Sequence, residues 1–428
     1  MSMLCVLFSC SSSSSRPPFP VVRSSALSKH GHRLLSSIRV SEPTSADSLI
    51  RKFVASSSKS VSLNALSHLL SNDLPSLALP MYRRICKTPW FKFNPKLTAD
   101  VVALLGKHGL VLESQALISE SILNMGHQDL ALFYLNLVES YSEHRLKQQV
   151  FDSYECLKQV LPQSSSLGRR SYVSMINGLC LLDLPCDAEE MLEKMGNAGH
   201  RPSAFEFRLV VLGYGRSGLF SDMRRILHKM EDCGFALDTV CANMVLSCYG
   251  VHGELSEMDS WLGRMKDLEI AFSIRTYNSV LNSCPTIMSM LEEPKSLPLS
   301  IEELFTKLTT DEVLLVRELV SSGVLVEILE WSSSEGKLDM HGLHLVSAFL
   351  ILLQWVEELR TRLCAEAVVP LEISVVCGSG KHSSIRGESP IKLLVSEMMF
   401  RMNSPLKIDR KNVGRFVARG KAVKDWLC

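Results

Sequence analysis

The chain has 428 residues, 46% of them hydrophobic, which excludes wholesale disorder and leaves room for two or three separately cored units. A formal net charge of +1 excludes a globally basic nucleic-acid binder, so any such role must rest on local charge or on motifs. Local charge is uneven: Arg170 to Arg275 holds 11 Lys/Arg against 15 Asp/Glu, whereas Cys377 to Cys428 holds 11 against 4 and is the electropositive end.

At the N-terminus, residues 1–41 contain thirteen serines and the basic residues Arg16, Arg23, Lys29, Arg33 and Arg39, and no acid precedes Glu42. A serine-rich, basic, acid-poor leader is the composition of an organellar transit peptide, and its serine abundance leans to the chloroplast over the mitochondrion. A secretory signal fits less well, because no basic residue precedes the apolar run Leu4 to Phe8. Residues 1–45 are therefore expected to be a disordered transit peptide. The 13 cysteines form no Cys-x-x-Cys pair and no Cys/His run at zinc spacing, which predicts buried, reduced thiols, no disulfide framework and no metal site. The longest apolar stretch, Leu345 to Val356, is far short of the roughly 20 residues of a membrane span, so no membrane partner is expected.

Further along, Met195, Met230 and Met265 recur at an interval of 35 residues, and Leu192, Leu227 and Leu262 precede them at a fixed offset. Gly218 and Gly253 share one turn position, Gly199 and Gly234 another, and Tyr172, Phe207 and Tyr277 a common early position that Ala242 fills in the third unit. Three full units run 169–203, 204–238 and 239–273, and a partial one begins at Ile274. Each reads as two helices, Ser171 to Cys180 and Asp187 to Asn197 in the first, which bury their apolar faces only by stacking on neighbouring hairpins. The recurring methionines and leucines are core.

The segments SYVSMINGLC, GYGRSGLFSDMRRILHKMEDCGF and RTYNSVLNSC resemble the helix pairs of the pentatricopeptide repeat (PPR) family. The period of 35 separates them from the 34-residue tetratricopeptide repeats, whose Trp, Leu-Gly and Tyr pattern is missing. Upstream, residues 46–168 read as degenerate repeats of the same kind, bringing the stack to five or six hairpins. The resemblance implies single-stranded RNA as partner, one base per repeat, read by the fifth and last residues on the inner surface. Those positions are Val173 with Ser203, Arg208 with Asp238, Asn243 with Ser273, and Asn278 in the partial repeat. Asn243 with Ser273 implies a pyrimidine, Val173 offers no hydrogen bond, and Arg208 and Asp238 are able to pair with each other.

Residues 284–336 lose the register, and Ser300-Ile-Glu-Glu303 opens a helical connector running to Trp331. From 337 to 428 the grammar changes to a strand Lys337 to Met340, a helix Leu345 to Leu363, a strand Leu371 to Val376, a glycine-rich loop Cys377 to Gly387, a helix Ser389 to Met402 and a strand Arg415 to Ala418. That alternation predicts a small α/β sandwich, making the whole a multidomain chain, an α-solenoid followed by an α/β domain.

LDMHGL (338–343), VVCGSGKHSSIRGESPIK (375–392) and GRFVARGKAVKDWL together resemble the small MutS-related (SMR) domain. Cys377 departs from that pattern, where relatives carry threonine or histidine. Gly378 and Gly380 let backbone N–H groups approach an anion, Lys381, His382 and Arg386 add positive charge, and Ser389-Pro390 opens a helix, which together predict phosphate binding. Asp339 and His341 share one side of a strand, so a carboxylate could orient an imidazole for acid–base work, with His382 a third candidate. The competing reading makes Asp339 a turn cap and His341 a structural histidine. RNA carries its own nucleophile, the 2′-hydroxyl; a carboxylate-held divalent cation activating water is the rival route for a nuclease. Three functions stay open: an organellar RNA-binding protein acting in RNA processing or stability, with or without endonuclease activity; a non-catalytic adaptor for protein partners; and DNA binding or nicking through the C-terminal domain.

Overall fold

The computed structural model describes residues 27, 29–39, 43–123, 125–161, 167–365, 369–378 and 389–428. The chain falls into two compact units, Met1–Leu182 and Asp183–Cys428. No helix among the described residues is long and apolar enough to cross a membrane.

Among its described residues the first unit is all helical: Lys29–Arg39, Pro43–Ser56, Lys59–Ser71, Pro75–Cys86, Pro95–Lys107, Val111–Ile122, His127–Glu143, Lys147–Val160 and Leu167–Leu181. Ser58 and Asn94 cap two of these through their side-chain oxygens, and Pro75 and Pro95 occupy first turns, where a missing N–H costs nothing. His127–Glu143 packs between Pro95–Lys107 and Leu167–Leu181, so its centre, Phe133 to Val138, is almost wholly buried. Lys29–Arg39 lies inside the span expected to be disordered. Leu34, Leu35 and Ile38 give it an apolar stripe that packs on Pro43–Ser56, and the His30 ring stacks on Phe53 at 5.1 Å, so local periodicity outweighs the transit-like composition here.

Degenerate though their sequences are, the upstream hairpins keep the turn of the regular ones. Asp73, Gly109 and Arg145 take left-handed backbone angles between paired helices, 36 residues apart, and Asp183, Gly218 and Gly253 do the same further on, 35 residues apart. Behind each sits an N–H to C=O bond that closes the helix end, Leu74 to Leu69, Leu110 to Leu105 and Leu146 to Tyr141. Asp73 and Arg145 stand where glycine would be unstrained, which hid this register from the sequence.

In the second unit, Pro185–Asn197 is followed by the hairpins Ala204–Arg216 with Phe220–Asp232, and Thr239–Val251 with Leu255–Asp267, then by Ile274–Leu281 with the short Pro285–Met290. Met195, Leu227, Met230, Leu262 and Met265 are all buried, as their period requires. Close approach of successive first helices explains two glycines: a Cβ on Gly215 would lie 2.4 Å from Cys248 Sγ, and one on Gly250 2.1 Å from Ser283 Oγ. At the end of the Leu255–Asp267 helix, Glu269 adopts φ 54, where the preceding repeats have Gly199 and Gly234. Glu269→Gly is therefore expected to raise stability by about 1 kcal/mol, because glycine carries no Cβ penalty there; urea unfolding checks it, and an unchanged midpoint would show that the turn is unstrained.

The connector holds Ile301–Lys307, Thr310–Val320 and Val324–Ile328. Ser300 caps as expected, but the Glu303 carboxylate reaches past it to the N–H of Leu299. A complete capping box forms instead at Thr309 and Glu312, and buried Glu312 also accepts from Thr286 N–H. Thr310–Val320 packs on Leu255–Asp267, in the place a further second helix of a repeat would take. The expectation that this helical stretch runs to Trp331 does not hold: it ends at Ile328, and β1 (Leu329–Trp331) is an edge strand pairing antiparallel with β2 (Glu335–Asp339).

A five-stranded sheet of order β1-β2-β3-β5-β4 completes the unit, with β3 (Glu372–Val376), β4 (Lys407–Ile408) and β5 (Arg415–Arg419). β2 and β3 are parallel, joined by the crossover helix Leu345–Ala365, and the other pairings are antiparallel. The stretch Leu345 to Val356 is apolar all round because it is the central helix, packed on Ile274–Leu281, Ile301–Lys307, Val324–Ile328, Pro390–Arg401 and Gly420–Leu427. Arg415 ties three strands together, donating to Glu335 and Glu372, both at 2.6 Å. The expectation of reduced, buried thiols fails at Cys364 and Cys428, which are exposed and joined by a disulfide because the ends of helices 345–365 and 420–427 meet, and its burial part fails at the free, exposed Cys86, Cys186 and Cys233.

Candidate nucleic-acid interface

The last residues of the repeats have a local duty first. Ser203, Asp238 and Ser273 are the N-caps of Ala204–Arg216, Thr239–Val251 and Ile274–Leu281, accepting from the N–H of Phe205, Cys241 and Thr276. Arg208 and Asp238 form an ion pair at 2.8 Å, so this expected reader is closed on itself. Val173 is buried, at 8% exposure. Asn243 lies beside Ser273, its Nδ2 3.5 Å from the hydroxyl, and its Oδ1 is buried with no hydrogen-bond partner among the described residues. An unmet buried acceptor costs roughly 1–3 kcal/mol; Asn243 is 7% exposed, and Arg208 Nε is likewise buried with no partner among the described residues.

Asn278 departs from the expectation that it reads a base. Its Nδ2 donates to Gly342 O and its Oδ1 accepts from His344 N–H, both at 2.8 Å, so the amide is fully engaged by the α/β region and only 7% exposed. Next to it, Asn282 Nδ2 lies 2.6 Å from His344 Nδ1. Burial holds His344 below its ordinary pKa, which favours the neutral ring as acceptor.

The left-handed turns also place readers that sequence inspection missed. Each turn residue follows the fifth position of its repeat by ten residues, as Gly218 follows Arg208 and Gly253 follows Asn243. Counting back from Asp73, Gly109 and Arg145 gives Leu63, Ala99 and Leu135, of which Ala99 and Leu135 are wholly buried. The upstream hairpins thus present no hydrogen-bonding side chain at this position. Nearby polar groups there are mutually satisfied, Ser140 with Asp100 and Lys96, and Glu139 with Ser174 and Arg170.

At the carboxyl ends of the parallel strands β2 and β3, Asp339 pairs with Val376, and Met340 N–H donates to Val376 O. Asp339 Oδ1 receives the His341 N–H at 3.0 Å and lies 2.5 Å from His341 Nδ1. Partial burial works against ionisation of Asp339, yet the bonds from His341 hold its carboxyl below the ordinary value. An ionised Asp339 fixes the Nδ1–H tautomer and leaves Nε2 as the free lone pair. His341 is 65% exposed, and Nε2 would lie 3.7 Å from a Cβ on Gly378, whose φ of 77 begins the glycine loop. The two motifs therefore meet. The Cys377 thiol is buried, and burial pushes its pKa up to about 12. Gly380, Lys381, His382 and Arg386 lie outside the described residues.

Among known proteins, the PPR repeat family model matches residues 170–200, 207–235 and 240–270. A pentatricopeptide repeat-containing protein of Arabidopsis thaliana is 50% identical over 426 residues, covering 95% of this chain and 84% of that protein. The maize pentatricopeptide repeat protein PPR10 aligns with 14% identity and a TM-score of 0.39 over 87% of this chain. Its complex with an 18-nucleotide psaJ RNA element aligns with 13% identity and a TM-score of 0.39 over 89%. The chain spans 60% of the length of that maize protein.

Proposed function

Since the chain belongs to the pentatricopeptide repeat family, we propose that it is an organellar RNA-binding protein acting in RNA processing or stability, whose C-terminal SMR-like region grips, and as an endoribonuclease cuts, single-stranded RNA. The observation that carries this reading is the meeting of Asp339, His341 and Gly378 at the ends of parallel strands, in the same unit as the Asn243–Ser273 pair with its unmet acceptor. Ligands of α/β sheets lie in such a crevice. With Nδ1–H held by Asp339, His341 Nε2 is able to take the proton of a ribose 2′-hydroxyl as its oxygen bonds to phosphorus, while the P–O5′ bond breaks, the 5′-oxygen takes a proton from water and a 2′,3′-cyclic phosphate remains. DNA has no 2′-hydroxyl, so this route favours RNA over DNA nicking. Lys381 and Arg386 supply phosphate charge in this reading, since Arg415 and Lys337 are taken up by Glu335, Glu372 and Glu330. The serine-rich leader supports chloroplast import, with the mitochondrion as the alternative.

Asn243→Ala is expected to weaken binding of a short uridine-bearing RNA by about 1–3 kcal/mol, the contribution of one base reader. Fluorescence anisotropy with the folded variant measures it. An unchanged affinity would move the repeats to the protein-adaptor class, whose support is the acidic balance of residues 170–275.

A further inference from the structure

The repeat array and the His341 turn are tied at two neighbouring points. Asn278, on the last repeat helix Ile274–Leu281, grips the turn from both sides through Gly342 O and His344 N–H, and Asn282 holds the His344 ring. Directly before that helix stands Ser273, partner of Asn243, and the residue between them and the clamp, Ile274, has its Cγ2 3.9 Å from the Cβ position of Gly342, the residue after His341. Deeper in, Tyr277 O–H donates to Leu319 O at 2.5 Å and also lies 3.2 Å from Gln354 Oε1, joining the same helix to the connector and the central helix. Satisfied, largely buried polar contacts such as those of Asn278 and Tyr277 fix one arrangement, since slippage would leave several groups unpaired at once.

We propose that Asn278 and Asn282 are positioning residues that hold the His341 turn in fixed register against the Asn243–Ser273 pair, making one composite site for single-stranded RNA. A pyrimidine seated at Asn243–Ser273 then dictates which phosphodiester faces His341. This rests on the RNA-binding reading above. In this arrangement the Asn243–Ser273 pair sets the position of the strand on the α/β region and leaves target selection to other contacts. Geometry of this kind matters because a misplacement of about 1 Å at a reacting group can cost on the order of a hundredfold in rate.

The test uses the full chain and a short oligoadenylate with one uridine, carrying a photo-crosslinking nucleotide moved stepwise along the strand. In the wild-type protein, crosslinks to the peptide holding Met340–His344 should come from one nucleotide position at a constant offset from the uridine. Asn278→Ala should spread them over several positions with little change in affinity, and Asn282→Ala, which loses one exposed bond, should do so less. An unchanged single offset in both folded variants would overturn the proposal while leaving RNA binding standing. Should Asn278→Ala fail to fold, Asn282→Ala decides alone. Wild-type protein that neither binds nor crosslinks this RNA would instead sink the RNA-binding reading, and the composite site with it.

Discussion

Gly420→Ala is expected to destabilise the second unit by about 3 kcal/mol or more, the upper range for overpacking a filled core. Gly420 opens the last helix directly after β5, its N–H donating to Leu371 O at 3.1 Å, and a Cβ there would lie 1.8 Å from the carbonyl oxygen of Pro370. The clash is with backbone, so no side-chain rotation relieves it. Either Gly420–Leu427 lifts off, taking buried Val423 and the Trp426 bond to Met402 O with it, or the start of β3 moves away from β5. Thermal unfolding and hydrogen exchange over residues 415–427 report the loss. Native-like protection there would mean that the segment before β3 yields easily.

His341→Ala should lower RNA cleavage by about 10²–10⁴-fold, the usual contribution of a positioned acid–base group, while leaving RNA affinity nearly intact. The imidazole is 65% exposed and bonded to Asp339, so its removal takes the proton acceptor and leaves the Asp339 carboxylate without that bond. Lys381→Ala should behave oppositely, weakening binding and flattening its salt dependence by about 0.7 in log–log slope, as one lost phosphate contact does on a single strand. A cyclic-phosphate end group on the product would mark 2′-hydroxyl attack; a requirement for a divalent cation would favour activated water. If the purified wild-type chain cuts neither RNA nor DNA, the endonuclease reading falls, and the buried Cys377 beside Gly378 is the first residue to exchange.

By itself the sequence determined whatever is local or periodic. The spacing of Met195, Met230 and Met265 gave the hairpins, and alternation after Gly336 gave β2, the central helix, β3 and β5 within a few residues. The expectation that Asp339 and His341 share one side of a strand does not hold: β2 ends at Asp339 and His341 lies in the following turn, where Asp339 accepts both its N–H and its ring contact, so the turn-cap reading of Asp339 is met as well. Short elements were not legible: β1, β4 and Gly420–Leu427 exist because neighbours supply their partners, and three or two residues carry too little pattern to announce a strand. Competition for partners was equally hidden. Only the fold decided that Asn278 faces the α/β region while Asn243 keeps an unmet acceptor, that Arg208 closes on Asp238, and that Cys364 meets Cys428 across 64 residues. A repeat register says which face a side chain takes, but its hydrogen bonds go to whichever groups the tertiary packing brings within about 3 Å, and that distance is set by residues far away in the chain.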